Sequence, residues 1–170
     1  MLVRYESEED IAGIREVHEQ AFEQSLEADI VDALRKHCKD IMSLVAENDG
    51  KIIGHVLFSP AEILGPHGLL KGVALAPMAV LPDMQRKGVG LRLVKHGLVQ
   101  LMRAGCPFII VIGRPDYYTH FGFAPASEYG IKCQWDKVPD EAFMILWIDK
   151  SKVGGVSGVA RFREEFNKAL

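Results

Sequence analysis

The sequence predicts a single α/β domain with a mixed sheet, and three observations carry this prediction. An apolar run, a Pro-Asp turn and a glycine-containing helix start follow one another from Met78 to Gly90. Strand-like segments flank Asn48-Asp49-Gly50, a hairpin signal that indicates antiparallel pairing. The unalternated apolar run Pro107 to Gly113 is typical of a buried strand. Strand, helix and second strand together indicate one right-handed crossover between parallel neighbours.

Composition limits the class of protein. The 170 residues, 48% hydrophobic and 25% charged, are typical of one globular domain. A net charge of −3 argues against nucleic-acid binding. The cysteines, Cys38, Cys106 and Cys133, lack metal-ligand spacing, so we expect free thiols in a reducing compartment and no metal. No apolar leader and no run of ~20 apolar residues is present, which predicts a cytoplasmic protein that binds no membrane.

The first third of the chain is predicted to form a strand and two helices. The strand spans Leu2 to Tyr5, and Ser7 with Asp10 approximates a capping box for the first helix. Apolar residues at helical spacing then mark one face of each helix. These residues are Ile11, Ile14, Val17 and Ala21 in the first helix, and Leu26, Ile30, Leu34 and Cys38 in the second.

Three strands are predicted next, over Ile41 to Glu47, Lys51 to Ser59 and Leu69 to Leu81. The third contains Pro77, which cannot donate to a strand ladder. We therefore expect Pro77 at an edge, at a bulge or where the sheet opens.

The remaining elements follow the Met78 to Gly90 turn. Apolar spacing predicts a helix of about four turns from Val89 that ends at Gly105. After the buried strand we expect a short helix from Arg114 to Gly122. Two further strands are predicted over Tyr129 to Trp135 and Ala142 to Ile148, and a final helix over Ala160 to Leu170. We assign residues 1–150 to one domain and 151–170 to a tail packed on it.

The turn itself is typical of an anion site. Gly88 and Gly90 let the backbone approach a ligand, the first helix amides have no intrahelical acceptor, and Arg86 and Lys87 add positive charge. A Walker A loop would need Lys-Ser/Thr after its last glycine, where Leu91 follows Gly90. A Rossmann fingerprint would need a third glycine or alanine, so a pyrophosphate cradle fits the residues best.

Two motifs resemble the GCN5-related N-acetyltransferase (GNAT) family. Gln85-x-x-Gly88-x-Gly90 at a strand-to-helix turn is similar to its acyl-CoA motif, and Tyr118 before Gly122-Phe123 looks like its second signature. The order of elements over residues 1–150 matches as well. The segments LAPMAV, YYTHFGF and SGVARFREEFN resemble an uncharacterised bacterial branch of predicted N-acetyltransferases.

The resemblance implies acetyl-CoA as cosubstrate, no metal, and direct attack by a primary amine within a ternary complex, without a cysteine intermediate. It implies a parallel strand pair that splays at the CoA site, with pantetheine on the backbone of Met78, Ala79 and Val80. The pyrophosphate would bind at Gln85, Arg86, Lys87, Gly88, Val89 and Gly90. Tyr118 would protonate the leaving thiolate, with Tyr117 as its competitor.

The general base stays open, because Leu69 to Leu81 carries no acid where many relatives have a glutamate. The alternatives are a water chain or one of four side chains, namely Glu23, Glu27, His55 and His120. The acceptor is a small-molecule amine or a protein amino group, and the resemblance allows a homodimer. A non-catalytic acyl-CoA-binding or partner-binding module is the alternative function. An ATP-binding domain is less consistent, because Asp83 is the only nearby carboxylate for a metal.

Overall fold

The computed structural model describes residues 1–170, which form two compact units. The first unit contains residues 1–58, 76–101 and 169, and the second contains residues 59–75, 102–168 and 170. The helices are α1 (Ile11–Phe22), α2 (Leu26–His37), α3 (Val89–Arg103) and α4 (Pro115–Tyr118). The strands are β1 (Leu2–Tyr5), β2 (Met42–Asn48), β3 (Lys51–Gly65), β4 (Gly68–Val80), β5 (Phe108–Ile112), β6 (Ala124–Pro125), β7 (Ile131–Cys133), β8 (Phe143–Trp147) and β9 (Gly158–Arg161).

The first unit is built on antiparallel pairing. β1 pairs with β2, and β2 pairs with β3. β4 neighbours β3, and Leu81 N donates to Ile53 O at 2.9 Å where β4 ends. Antiparallel neighbours with tight turns are the pairing that the Asn48-Asp49-Gly50 signal predicted.

Helices α1 and α2 each bury one face in this unit. Ile14, Val17 and Leu34 are at most 1% exposed, as the helical spacing predicted. The predicted capping box is present: Ser7 N and Ser7 Oγ both donate to Asp10 Oδ2, at 2.7 and 3.1 Å. A short 3-10 turn, Glu8–Asp10, links it to α1.

Helix α3 packs closely on β3. Gly97 lies against Phe58, so closely that an added Cβ would stand 2.5 Å from the ring carbons Cε2 and Cζ. Gly54 faces the start of the helix, and a Cβ there would be 2.8 Å from Val89 Cγ1. Two glycines therefore let α3 approach the sheet near the turn that precedes it.

The second unit contains the predicted parallel pair. β4 and β5 pair in parallel through Val73↔Ile109 and Ala74↔Ile110. β5 pairs antiparallel with β8, and β8 with β6. The mixed sheet is confirmed, and Pro77 lies on β4 beyond the residues that pair with β5.

The predicted final helix starts later than expected and is a 3-10 helix. Residues 158–161 form β9, which pairs antiparallel with β3 and parallel with β7, and the chain ends in a 3-10 helix, Glu164–Ala169. Val159 is 36% exposed while Ala160 and Phe162 are buried, an alternation that suits a strand. Gly158 has φ +137° and touches the β3 backbone, because a Cβ there would overlap Leu64 O.

Two other strands have different boundaries in the structure from those predicted. The predicted strand Tyr129 to Trp135 shortens to β7, because Ala126–Tyr129 forms a 3-10 helix that Gly130 ends at φ 70°. β3 runs past Ser59 to Gly65 because β9 pairs with its far end. The residues after 150 thus supply a strand and a short helix to the second unit. None of the helices has the length and apolar character needed to cross a membrane.

Candidate functional site

The Met78 to Gly90 turn leads from β4 into α3. A 3-10 turn, Pro82–Met84, follows Leu81, and Gln85 Nε2 then donates to Val80 O at 3.0 Å. Arg86 has φ +60° and Gly88 has φ +84°, both in the left-handed region. A Cβ on Gly88 would meet nothing within 4 Å. The left-handed backbone, rather than close packing, therefore requires glycine at position 88.

This turn presents a run of backbone amides. Gln85 N donates to Pro82 O, and the next backbone amide that donates to a carbonyl is Arg92 N, which lies 3.1 Å from Gly88 O. The amides from Arg86 to Leu91 have no acceptor in the chain. Successive free N–H groups at the positive end of a helix attract anions. The backbone alone thus supplies the free donors that an anion site needs.

The side chains around this cradle add positive charge. Arg86 and Lys87 are exposed and neither forms a salt bridge. Asp83 is exposed as well and stands before the free amides in the chain. The predicted cradle residues thus occupy one continuous turn, and their geometry suits a phosphate group better than a metal ion.

The β4 segment that precedes the cradle has two half-buried residues, Met78 and Val80, around a buried Ala79 that is 4% exposed. Val80 O is the acceptor for Gln85. The three residues lie in the first unit, on the strand that leads directly into the cradle.

Tyr118 is the last residue of α4, in the second unit. Tyr118 is 8% exposed, and its ring contacts Tyr117, Phe121 and Phe123 at centroid distances of 5.0, 6.4 and 5.5 Å. Gly113 makes room for the ring, because a Cβ there would overlap Tyr118 Cε2. Burial, with a smaller contribution from Tyr117, raises the pKa of Tyr118 well above its usual value. The phenol is therefore protonated at neutral pH.

The four candidate bases occupy different surroundings. Glu23 is exposed, in the left-handed region at φ 56° after α1, and Glu27 accepts from Gln24 Nε2 at 2.9 and 3.1 Å. His120 Nδ1 lies 2.8 Å from Asp116 O on the surface. His55 is fully buried, and burial and the nearby His18 lower its pKa well below its usual value.

Sequence reasoning missed the partners of His55. His55 Nδ1 lies 2.8 Å from His18 Nε2, and its Nε2 lies 2.8 Å from Ser43 Oγ. Burial lowers the pKa of His18 to about 4, with nearby Asp32 opposing the shift. His18 stands four residues after Ile14 on the apolar face of α1, and a histidine within such a stripe was the available signal.

The cysteines are free, as expected. Burial raises the pKa of the Cys106 and Cys133 thiols, so neither is an activated thiolate. No group of three or more histidine, cysteine or carboxylate side chains could hold a metal ion.

The chain is similar in sequence to known proteins. Residues 3–126 match the model of the acetyltransferase (GNAT) domain. The chain is 33% identical over 169 residues to YhbS, an uncharacterised N-acetyltransferase of Escherichia coli K12, and the match covers 99% of each chain.

Two solved structures are also similar. The crystal structure of E. coli YhbS in complex with CoA superposes with a TM-score of 0.91 at 33% identity, covering 98% of this chain and 91% of that one. A GNAT family acetyltransferase from Brucella melitensis in complex with acetyl-CoA gives a TM-score of 0.79 at 34% identity, covering 98% and 97%.

Proposed function

This chain belongs to the GNAT acetyltransferase family, and from that premise we propose that it transfers the acetyl group of acetyl-CoA to a primary amine by direct attack in a ternary complex. The observation that carries the proposal is the run of free backbone amides from Arg86 to Leu91. A diphosphate is negatively charged, and its oxygen atoms can accept hydrogen bonds from these amides. The relatives solved with CoA and with acetyl-CoA support the same ligand.

Two neighbouring segments of the chain bind different parts of the CoA molecule. The pyrophosphate binds the turn from Gln85 to Gly90, where Arg86 and Lys87 add a screened, long-range attraction. The pantetheine arm pairs with the backbone of Met78, Ala79 and Val80 as an added strand would. This mode uses main-chain groups, so it puts little demand on the side chains at those three positions.

The transfer needs two proton movements. The neutral amine attacks the thioester carbonyl carbon, a C–N bond forms, and the C–S bond breaks with its electron pair on sulfur. Tyr118 donates its phenolic proton to that sulfur, since its raised pKa keeps it protonated until the thiolate appears. The amine loses one proton to a base or to water, and the cysteines take no part.

The acceptor is a small-molecule amine or a protein amino group. The direct test is thiol release from acetyl-CoA across a panel of small amines, peptides and aminoacyl compounds. We expect release that depends on one class of acceptor, together with mass spectrometry showing that acceptor heavier by one acetyl group.

A non-catalytic acyl-CoA-binding module is the second candidate, because β4 carries no acidic residue. Calorimetric titration with CoA separates the two. Binding of CoA with no turnover on any acceptor would favour the module, and absence of CoA binding would contradict both candidates.

A further inference from the structure

A buried hydrogen-bonded chain of side chains runs through the first unit. His18 on α1 and His55 on β3 are both 0% exposed, with 2.8 Å between His18 Nε2 and His55 Nδ1. Ser43 on β2 lies 2.8 Å from His55 Nε2 and 2.6 Å from Glu6 Oε2. Arg35 on α2 holds that carboxylate from the other side, with Nε 2.9 Å from Oε1 and Nη2 3.0 Å from Oε2.

The direction of every hydrogen bond in this chain follows from its acidic end. Glu6 is paired with Arg35, so its carboxylate only accepts, and the single Ser43 proton must point to it. Ser43 Oγ can then only accept the Nε2–H of His55. His55 Nδ1 is left as the acceptor for the Nε2–H of His18. Both neutral histidines are therefore Nε2–H tautomers, and His18 Nδ1 is a bare lone pair.

That lone pair has no partner. His18 Nδ1 is buried and makes no hydrogen bond. Buried polar atoms are nearly always satisfied, and an unsatisfied one calls for a ligand, a proton or a catalytic role. The Phe22 ring stacks on His18 at 6.0 Å, at the last position of α1, and is 39% exposed. A partly exposed ring thus lies beside the buried imidazole.

The chain also lies beside the proposed pantetheine strand. Leu81 N donates to Ile53 O, and β3 and β4 are neighbours in the sheet. His55 lies two residues after Ile53 on β3, and Leu81 directly follows Val80. His55 is therefore one strand away from the segment assigned to the thioester arm.

From this geometry we propose that His18 Nδ1 accepts the proton of the acceptor amine and that His55, Ser43 and Glu6 form a relay that carries a proton to the Glu6 carboxylate. The inference rests on the proposed acetyl transfer. As the amine proton binds His18 Nδ1, the Nε2 proton of His18 moves to His55 Nδ1. The Nε2 proton of His55 then moves to Ser43 Oγ, and the Ser43 proton moves to Glu6.

The charges around the relay suit this role. The groups that face it are Asp32 and Arg35 of α2, Glu6 after β1, and the two histidines themselves. Burial keeps the pKa of both histidines below the usual value, so both are unprotonated at neutral pH and free to accept. Glu6 and Arg35 end the relay at partly exposed positions, where a proton can leave to water.

His18→Gln is the discriminating variant. Its amide nitrogen can still donate to His55 Nδ1, but its side chain cannot take a proton. We expect kcat to fall on the order of 10²-fold at pH 7.5 while the Kd for acetyl-CoA stays within about twofold. The acid limb of the wild-type pH profile of kcat should disappear in the variant. His37→Gln, a change of an exposed histidine on α2, is the matched control and should leave kcat unchanged.

Two further measurements decide the proposal if His18→Gln does not fold. Ser43→Ala cuts the relay between His55 and Glu6 and should lower kcat about tenfold. Nitrogen-15 NMR of the wild-type imidazoles should show Nε2–H tautomers at both histidines and a bare Nδ1 at His18. An Nδ1–H signal at either residue, or full kcat in His18→Gln, would overturn the relay alone. Wild-type protein that acetylates no amine would overturn the proposed function and the base role with it.

Discussion

At the scale of single residues, the surroundings of a side chain decide which chemistry it can perform. Tyr117 and Tyr118 are neighbours in the sequence, yet Tyr118 is buried at 8% exposure and Tyr117 is half-buried. Gly113 makes room for the Tyr118 ring, since a Cβ there would overlap it. The pKa of both phenols is raised by burial, and that of Tyr118 by the larger amount. We propose the acid role for Tyr118 because it has the family's spacing to Gly122-Phe123.

Replacing Tyr118 with Phe tests that role. The change removes only the hydroxyl, so we expect kcat to fall on the order of 10²-fold with the Kd for acetyl-CoA unchanged. Steady-state kinetics and calorimetry measure the two quantities. Tyr117→Phe is the matched variant and should retain nearly full kcat. The opposite pattern would assign the acid role to Tyr117.

Replacing Gly88 with Ala tests the backbone cradle. The substitution imposes φ +84° on a residue with a Cβ and places a methyl group where the pyrophosphate is proposed to bind. We expect the Kd for CoA, measured by calorimetry, to rise by more than tenfold, and a bulkier residue at Gly88 or Gly90 to abolish binding. Arg86→Ala should raise the Kd only a few-fold.

The control for backbone strain is Gly50→Ala, because Gly50 has φ +78° and equal open space in the β2–β3 hairpin. That variant should bind CoA as the wild type does. If Arg86→Ala proved as damaging as Gly88→Ala, the side-chain charge would be the main anchor.

At the scale of elements, the close approach of α3 to β3 sets where the free amides lie. Gly97 accepts the Phe58 ring, and Gly54 accepts Val89 at the first position of the helix. Both contacts are in the first unit and involve β3 and α3. These two contacts fix α3 against β3, so the first turn of α3 and the cradle beside it have a defined position.

Gly97→Ala tests this packing. Alanine is the better helix former by about 1 kcal/mol, but its Cβ would stand 2.5 Å from two Phe58 ring carbons. Overpacking of this kind costs about 1–3 kcal/mol, so we expect a net loss of stability in urea unfolding. Val99→Ala, at a position of the same helix that is 45% exposed, should change stability by less than about 0.5 kcal/mol. A more stable Gly97→Ala protein would show that α3 can shift freely.

At the scale of the whole molecule, buried neutral histidines link stability to pH. His18 and His55 titrate below the value of about 6.5 expected in the unfolded chain. The unfolded state therefore binds more protons in that range, and stability falls as the pH falls. Asp10 acts in a lower window, because hydrogen bonds from Arg4 lower its pKa to about 2.

We expect the free energy of unfolding to be flat above pH 7 and to fall between pH 6.5 and about 4, the pKa of folded His18. The slope should approach about 1.4 kcal/mol per pH unit for each histidine. Urea titrations at several pH values measure it. His18→Gln should show a shallower slope, and equal stability at pH 7 and pH 5 in the wild type would contradict the burial of neutral histidines.

The prediction from sequence was most successful where the signal is local. Helical spacing in α1, α2 and α3, the hairpin at Asn48-Asp49-Gly50 and the apolar run of β5 depend on near neighbours, and each element is present. The error at 158–161 has a non-local cause. A strand of four residues, β9, is formed there because β3 and β7 offer it backbone partners far away in the chain.

The sequence by itself determined the fold class and the family and predicted the cradle, because turn glycines, helix starts and apolar periods are properties of short stretches of chain. Only the tertiary structure brought His18, His55, Ser43 and Glu6 together, from α1, β3, β2 and the segment after β1. It also buried Tyr118 against Gly113 and left His18 Nδ1 without a partner. Burial and hydrogen-bond direction depend on residues distant in sequence, and no local pattern records which distant residues will meet.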